Sequence, residues 1–368
     1  MSGPVRVCHV FTTLQTGGAE RLFVEAARHV DPERVRYEFV CLGGGGAPME
    51  ELRGAGIPVT DLGIGGRVPA RSTMKRLFDH FRGRNFDVCH THNTLPGFVA
   101  AGPAKRAGVP VVVNTQHGRG CGKNWQSRVK FLLANRRTDV VIGVSDDAKV
   151  LCQGQDPISA RKIRRIWNAV DVNRFEYAGP SLPEETGVHH AVSVARLSPE
   201  KDFGTLLRAV AIVKDRRPTI RLTLIGDGGE RAGLKRLAEE LCVTDVVTFA
   251  GERHDIPQQL AKAGFFVSSS RSEGISLTLL EAMGVGLPIV TTRVGGNPEI
   301  VVEGETGMLV PSENPLALAE AIDRMCGASG RWTAMGRAGR ERVVAHFSMD
   351  RMVGLYEDVY REFLGKRR

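Results

Sequence analysis

The chain has 368 residues, more than one hydrophobic core usually serves, so two domains are expected. Hydrophobic content of 42% and charged content of 25% are those of an ordinary globular protein, and no apolar run approaches the ~18 residues that a membrane-spanning helix needs. Net charge is +9, from 50 Lys/Arg against 41 Asp/Glu, and it is unevenly placed: residues 67–137 hold 14 basic residues and two acidic ones.

That basic stretch reads either as a solvated surface or as attraction to an anionic partner, such as a membrane surface, a lipid diphosphate or a charged acceptor. Nucleic acid is disfavoured, because no recognition motif and no aromatic–basic interleaving accompany the charge. Seven cysteines at 8, 41, 89, 121, 152, 242 and 326 show no paired spacing, which argues for free thiols in a reducing compartment. The opening MSGPVRVCHVF has no basic-then-apolar leader, so a cytoplasmic location is expected.

Residues 5–11 read as a buried strand, followed by a polar loop and a helix that opens at Gly17-Gly18. Glycines at a strand-to-helix turn let a ligand approach the backbone, and the helix start favours an anion. Further strands fall at 37–42 and 57–61, with a glycine-rich loop at 62–69 expected to move. Over 70–82, Met74, Leu77, Phe78 and Phe81 make one apolar helical stripe that faces either the core or a lipid surface. Strands at 87–91 and 109–115 flank a helix at 95–107, and His117 lies just past the second strand's carboxyl end, where ligand sites collect. His90 and His92 sit near it, but no carboxylate or cysteine ligand set accompanies them, so no metal is expected. A glycine-rich basic loop at 118–124 precedes a basic helix at 125–137 and a strand at 139–144; Ser145 is a candidate helix cap. Gly179, Pro180, Pro183 and Gly187 mark 174–187 as a linker.

The strand–helix alternation then restarts. A strand at 190–195 ends at Arg196, and Lys201 opens the next helix; two cations so placed can converge on two bridging phosphates. Strands follow at 220–225, 246–250, 265–268, 289–290 and 306–311, with helices near 315–326, 330–345 and 348–364. The densest motif is SSRSEGISLTLLEAMGVGLPIVTTRVGGNPE at 269–299. Its polar loop carries Glu273, its helix carries Glu281, and Gly284, Gly286 and Pro288 end that helix. No intact G-x-G-x-x-G or P-loop occurs, which disfavours a nicotinamide enzyme or a P-loop NTPase.

The pair of glutamates in S-E-G-I-S-L-T-L-L-E-A-M, with T-G-G-A-E-R-L, R-L-S-P-E-K and I-R-R-I-W-N-A-V-D, resembles the large retaining glycosyltransferase family of the GT-B fold called family 4, or group 1. The resemblance covers nearly the whole chain. It implies an α/β protein of two Rossmann-like, doubly wound parallel-sheet domains with a cleft between them. Residues 1–175 would form an acceptor-side domain, 176–345 a nucleotide-sugar domain, and 346–368 a helix returning to the first. It further implies a retaining transfer from a nucleotide diphosphate sugar, with UDP as the expected base, to a hydroxyl of a glycan or lipid-linked acceptor in bacterial polysaccharide or glycolipid assembly.

Carried over residue by residue, Glu273 and His117 would face the sugar, and Glu281 the ribose. Arg196 and Lys201 would take the diphosphate with the backbone at Ile275, Ser276 and Leu277, and Gly17 and Gly18 would line its other side. No cofactor and no metal are implied, and no D-x-D triplet occurs. Ile275-Ser276 departs from the family's aromatic and Gly/Pro preference, and Ala169 stands where glycine is common. A sugar-nucleotide epimerase or hydrolase of the same fold, and a non-enzymatic basic membrane-binding module, are the competing classes.

Overall fold

A computed structural model describes residues 3–15, 17–64 and 69–367, so the core of the expected 62–69 loop lies outside the described residues. The chain divides into two compact units: Met1–Ala169 with Met349–Arg368, and Val170–Ser348.

The first unit alternates strand and helix: β1 (Val5–Phe11), α1 (Gly18–Ala26), β2 (Val35–Cys41), α2 (Ala47–Gly54), β3 (Val59–Asp61), α3 (Ala70–Phe81), β4 (Val88–His92), α4 (Thr94–Arg106), β5 (Val111–Gln116), α5 (Trp125–Asn135), β6 (Val140–Gly143), α6 (Asp146–Gln155) and β7 (Ile163–Arg165). Its seven strands are all parallel, in the order β3-β2-β1-β4-β5-β6-β7. Val111, Val112, Val113, Val140 and Val141 are wholly buried, as expected of central strands covered by helices on both faces. Order reverses between β1 and β4, so the carboxyl ends of these strands form this sheet's switch point. Ser145 does cap α6, accepting from the Ala148 N–H at 2.9 Å.

The second unit repeats the plan with α7 (Pro183–Thr186), β8 (His189–Val194), α8 (Phe203–Lys214), β9 (Ile220–Ile225), α9 (Arg231–Glu240), β10 (Val247–Gly251), α10 (Ile256–Leu260), β11 (Phe265–Val267), α11 (Leu277–Val285), β12 (Ile289–Thr292), α12 (Asn297–Ile300), β13 (Gly307–Val310), α13 (Pro315–Gly327) and α14 (Trp332–His346). Its six parallel strands run β10-β9-β8-β11-β12-β13, with the switch point between β8 and β11. Helix α8 buries Phe203, Leu206, Leu207, Val210 and Val213 along one stripe, each apolar side chain contributing about 1.5–3 kcal/mol.

The last helix, α15 (Met349–Gly365), belongs to the first unit. It buries Met352, Val353, Tyr356, Tyr360 and Leu364, and Arg164 grips Glu362 with two hydrogen bonds of 2.6 and 2.8 Å. The unit boundaries fall at 169/170 and 348/349, beside the 175/176 and 345/346 that the resemblance implies. Contacts between segments far apart in the chain place them there: the Val170 N–H bonds to the Phe347 carbonyl at 2.9 Å, and Arg340 donates to the carbonyls of Val172 and Phe175. The expected linker segment is thus held on the second unit as far as Ala178 and Gly179, whose N–H groups bond the Val285 carbonyl. Among the described residues, no helix is long and apolar enough to cross a membrane.

Candidate active site residues in each unit

In the second unit the switch point gathers the residues the sequence singles out. Strand β8 gives way to a turn at Arg196, against which Gly226 packs at φ +135°; a Cβ there would overlap the Ala195 carbonyl. Lys201 ends a single 3₁₀ turn and Asp202 follows in the left-handed region, accepting from the Thr205 hydroxyl at 2.8 Å. Lys201 Nζ reaches Glu273 Oε1 at 2.7 Å, and the Ser270 hydroxyl donates to the same oxygen at 2.7 Å. Glu273 is 9% exposed in its side chain, so this pairing is strongly felt.

The loop bearing Glu273 is fixed by its neighbours. The Ser269 hydroxyl donates to the carbonyls of Lys201 and Asp202, the Thr292 hydroxyl to the Ser270 carbonyl at 2.6 Å, and the Gly296 N–H to the Gly274 carbonyl. Gly295, at φ +50°, lies so close that a Cβ would overlap the Glu273 backbone. Ile275 and Ser276 are buried, and Leu277 begins α11. The first turn of α11 has no capping side chain, which leaves backbone N–H groups directed out of its start. Glu281 lies half-buried on the second turn. Arg196 is exposed and has no ion pair within 4 Å among the described residues, so it is not yet joined to Lys201 or Glu273. Ser269, Ser270 and Asp202 were not singled out from sequence, although Asp202 before an apolar helix is a legible cap signal.

In the first unit, Gly17 precedes α1 in extended backbone, and no side chain caps the helix. Glu20 curls back over Gly17, and burial raises its carboxyl above the usual range. His117 follows β5; its N–H donates to Asn93 Oδ1 at 3.0 Å. Asn93, missed from sequence, holds φ +68° and ψ 179°, a region almost reserved for glycine that costs about 1–3 kcal/mol. Asn114 Nδ2 bonds the Asn93 carbonyl at 3.0 Å and helps to hold it there. Strain at a switch point beside His117 marks this end of the sheet.

His117 belongs to a group of four histidines, the other three of them buried, of which sequence reasoning missed His9. His9 Nδ1 lies 3.0 Å from His92 Nε2, and His92 Nδ1 lies 3.0 Å from His117 Nε2. His90 instead joins the Tyr360 hydroxyl at 2.7 Å and the Thr115 hydroxyl at 2.8 Å. Burial holds His9 and His117 down at about 3, and His90 and His92 well below the ordinary value. His9, His90 and His92 each bring a ring nitrogen within 4.8 Å of the others, a spacing that suits a metal ion. Apart from His9 Nε2, their nitrogens are committed to one another, to His117, to Tyr360 and to Thr115, so a metal would have to break those bonds, and among the described residues no carboxylate or thiolate joins the set.

Comparison with known proteins agrees in both units. The profile described as "Glycosyltransferase Family 4" matches residues 16–174, and the one described as "Glycosyl transferases group 1" matches 180–342. An Escherichia coli UDP-Gal:alpha-D-GlcNAc-diphosphoundecaprenol alpha-1,3-galactosyltransferase is 23% identical over 97% of this chain and 96% of its own. A Corynebacterium glutamicum GDP-mannose-dependent monoacylated alpha-(1-6)-phosphatidylinositol monomannoside mannosyltransferase is 29% identical over 77% of this chain and 79% of its own. The structure of Anabaena HepE, crystallised with UDP, superposes at a TM-score of 0.83 with 21% identity, covering 98% of this chain and all of that one. The chain belongs to the group 1 glycosyltransferases and has the GT-B fold.

Proposed function

We propose that the protein moves a sugar from a nucleoside diphosphate sugar to a hydroxyl of a glycan or lipid-linked acceptor, with retention of anomeric configuration and without a metal or cofactor. The observation that carries the reading is the Lys201–Glu273–Ser270 cluster at the β8/β11 switch point, beside the uncapped start of α11. An ammonium has three donors, and only one is committed to Glu273, so Lys201 can also take a phosphate oxygen. Arg196, with no ion pair, offers a planar fork to the second phosphate. Together they would stabilise the charge that grows on the leaving diphosphate, the task a divalent ion performs elsewhere. Glu281 would accept from the ribose hydroxyls. Glu273, pinned by Lys201 and Ser270, would orient sugar hydroxyls. The assignments in the first unit are His117 and the Gly17–Gly18 turn. The acceptor hydroxyl would attack on the face the phosphate leaves, and the departing oxygen would take its proton.

UDP is the nucleotide we assign; the E. coli relative and HepE support it, and the C. glutamicum relative keeps GDP as the comparison. We further propose that the protein works at the cytoplasmic face of an anionic membrane, in polysaccharide or glycolipid assembly. Six exposed large apolar residues support this: Leu95, Trp125, Val129, Leu133, Val150 and Ile158, all in the first unit. Trp125, Val129 and Leu133 recur every four residues along α5 and so share one face. Beside them, a cavity of about 440 Å³ between α3, α4 and α5 has Arg71, Lys75, Arg106 and Arg137 on its rim. None of the seven cysteines is in a disulfide, which suits a reducing compartment.

The test is a thermal-shift panel of UDP, GDP, ADP and dTDP without added metal, on wild type and Glu281→Ala. We expect UDP alone to raise the melting temperature, and only in wild type. Stabilisation by none of the four nucleotides would remove the donor-site assignment. Sugar-nucleotide turnover without any acceptor would favour an epimerase or hydrolase instead.

A further inference from the structure

Sheet register builds the histidine group. His9 pairs with His90 across β1 and β4, and His92 pairs with Thr115 across β4 and β5. Side chains two apart share a face, so His9, His90, His92, Thr115 and His117 all project to the same side of the sheet. Phe11 stacks on His92 at 3.9 Å, and Phe23 and Tyr356 close over the group. Three of the rings make a single file: His9 to His92 to His117. His92 spends both nitrogens in it. The rings are neutral, because burial disfavours the charged form of each. A neutral imidazole has one donor and one acceptor, so every hydrogen bond in the file must run the same way. Fixing the direction at one end fixes it at the other.

The His9 end indicates which way. Its Nε2 is buried with no hydrogen-bond partner among the described residues. The ring sits against Phe39 at 5.0 Å and Tyr37 at 4.3 Å. The Tyr37 hydroxyl is engaged by Tyr360. A bare nitrogen there would meet no donor, whereas an N–H can be accepted weakly by the Tyr37 ring, which is set edge-to-face to His9 at 74°. The proton therefore belongs on His9 Nε2, and by continuity on His92 Nε2 and His117 Nε2. The outer end of the file is His117 Nδ1, which is also buried without a partner among the described residues.

We propose that His92 and His9 are positioning residues for His117: through the shared file they hold its ring as the Nε2–H tautomer and leave Nδ1 as a bare acceptor, fitted to a hydroxyl of the ligand. This rests on the reading of His117 as a sugar contact. It gives two histidines that never touch the ligand a defined part in recognising it. An acceptor-only group is not recognised at a bare Nδ1; a hydroxyl donor is.

Selective ¹⁵N-histidine labelling of the full chain, with long-range ¹H–¹⁵N spectra at neutral pH, reads the tautomers directly. All three rings should show the proton on Nε2. One ring with the opposite tautomer beside two of this kind would break the common direction and overturn the proposal. In His92→Phe the His117 Nδ1 signal should shift toward the average of both tautomers, and His9→Phe should move it the same way. An unmoved signal in both variants would overturn it too. His90→Asn is the control, because His90 bonds Tyr360 and Thr115 outside the file; an equal shift there would assign the effect to packing instead. Finally, UDP-glucose and then GDP-mannose are added to wild type. A shift of His117 Nδ1 supports its contact with the sugar. Intact tautomers with no response to either donor would overturn the assignment of Nδ1 to the sugar and leave the file itself standing.

Discussion

Lys201 and Glu273 stand 72 positions apart and meet at 2.7 Å, with Ser270 on the same carboxylate oxygen. Replacing Glu273 by Gln keeps the shape and removes the charge that Lys201 faces. The expected result is a fall in kcat of about 10²-fold or more, with nucleotide binding nearly unchanged, because the ribose is assigned to Glu281. Equal losses in nucleotide affinity and turnover would place Glu273 in binding instead. Gly295 tests the scaffold beneath it. Its left-handed φ and its contact with the Glu273 backbone predict that Gly295→Ala costs about 1–3 kcal/mol or more, seen as a lower urea midpoint. Glu273 and Gly295 were legible because they lie inside one dense motif, and Lys201 because it lies in another. His9 was not, since a histidine in a strand means little until the register sets it beside His90.

Helix α5 carries the prediction that belongs to an element. Trp125 is 73% exposed at the head of a stripe with Val129 and Leu133. Trp125→Ser with Leu133→Ser should cut co-sedimentation with phosphatidylglycerol vesicles at least tenfold and leave turnover of a soluble acceptor unchanged. Undiminished vesicle binding would show that charge alone, or no membrane at all, governs this face. Helix α3 shows how far periodicity reaches. The spacing of Met74, Leu77, Phe78 and Phe81 was sufficient to find the helix, but not to say which face is core. Leu77 and Phe81 are buried, while Met74 and Phe78 line the basic-rimmed cavity, where Arg106 stacks over Phe78 at 5.5 Å. The sequence left core and lipid open as alternatives for one stripe, and the helix divides it between the core and that cavity. Short pieces such as α7 and α10 escaped because four or five residues carry too little pattern.

At the scale of the molecule, acid should strike through the histidines. His9, His90, His92 and His117 stay neutral when folded because burial lowers their affinity for protons. The unfolded chain binds those protons below the ordinary value near 6.5. Stability is therefore complete above that pH and falls as pH drops below it, by about 1.4 kcal/mol per pH unit for each ring. Urea midpoints at pH 7.5, 6.0 and 5.0 should fall steeply, and a flat profile would mean that the rings are charged or exposed in the folded state. The two-unit plan itself was legible, because strand–helix alternation stops at Val170 and restarts at β8. The positions of its boundaries were not, since they depend on Arg340 and the 170–348 bridge, contacts between segments far apart in sequence.

Helix α15 completes a unit whose other residues left the ribosome long before it. Tyr356 and Tyr360, which seat on Thr115 and His90, arrive about 190 residues after β7. The second unit is continuous in the chain and has all its own residues as soon as Ser348 emerges. Birth order and completion order are thus opposed. During synthesis the first unit must wait with its histidine face uncovered, and the later-made unit is the first that can close. A nascent chain arrested before residue 349 should resist protease in 170–348 and be cut in 1–169.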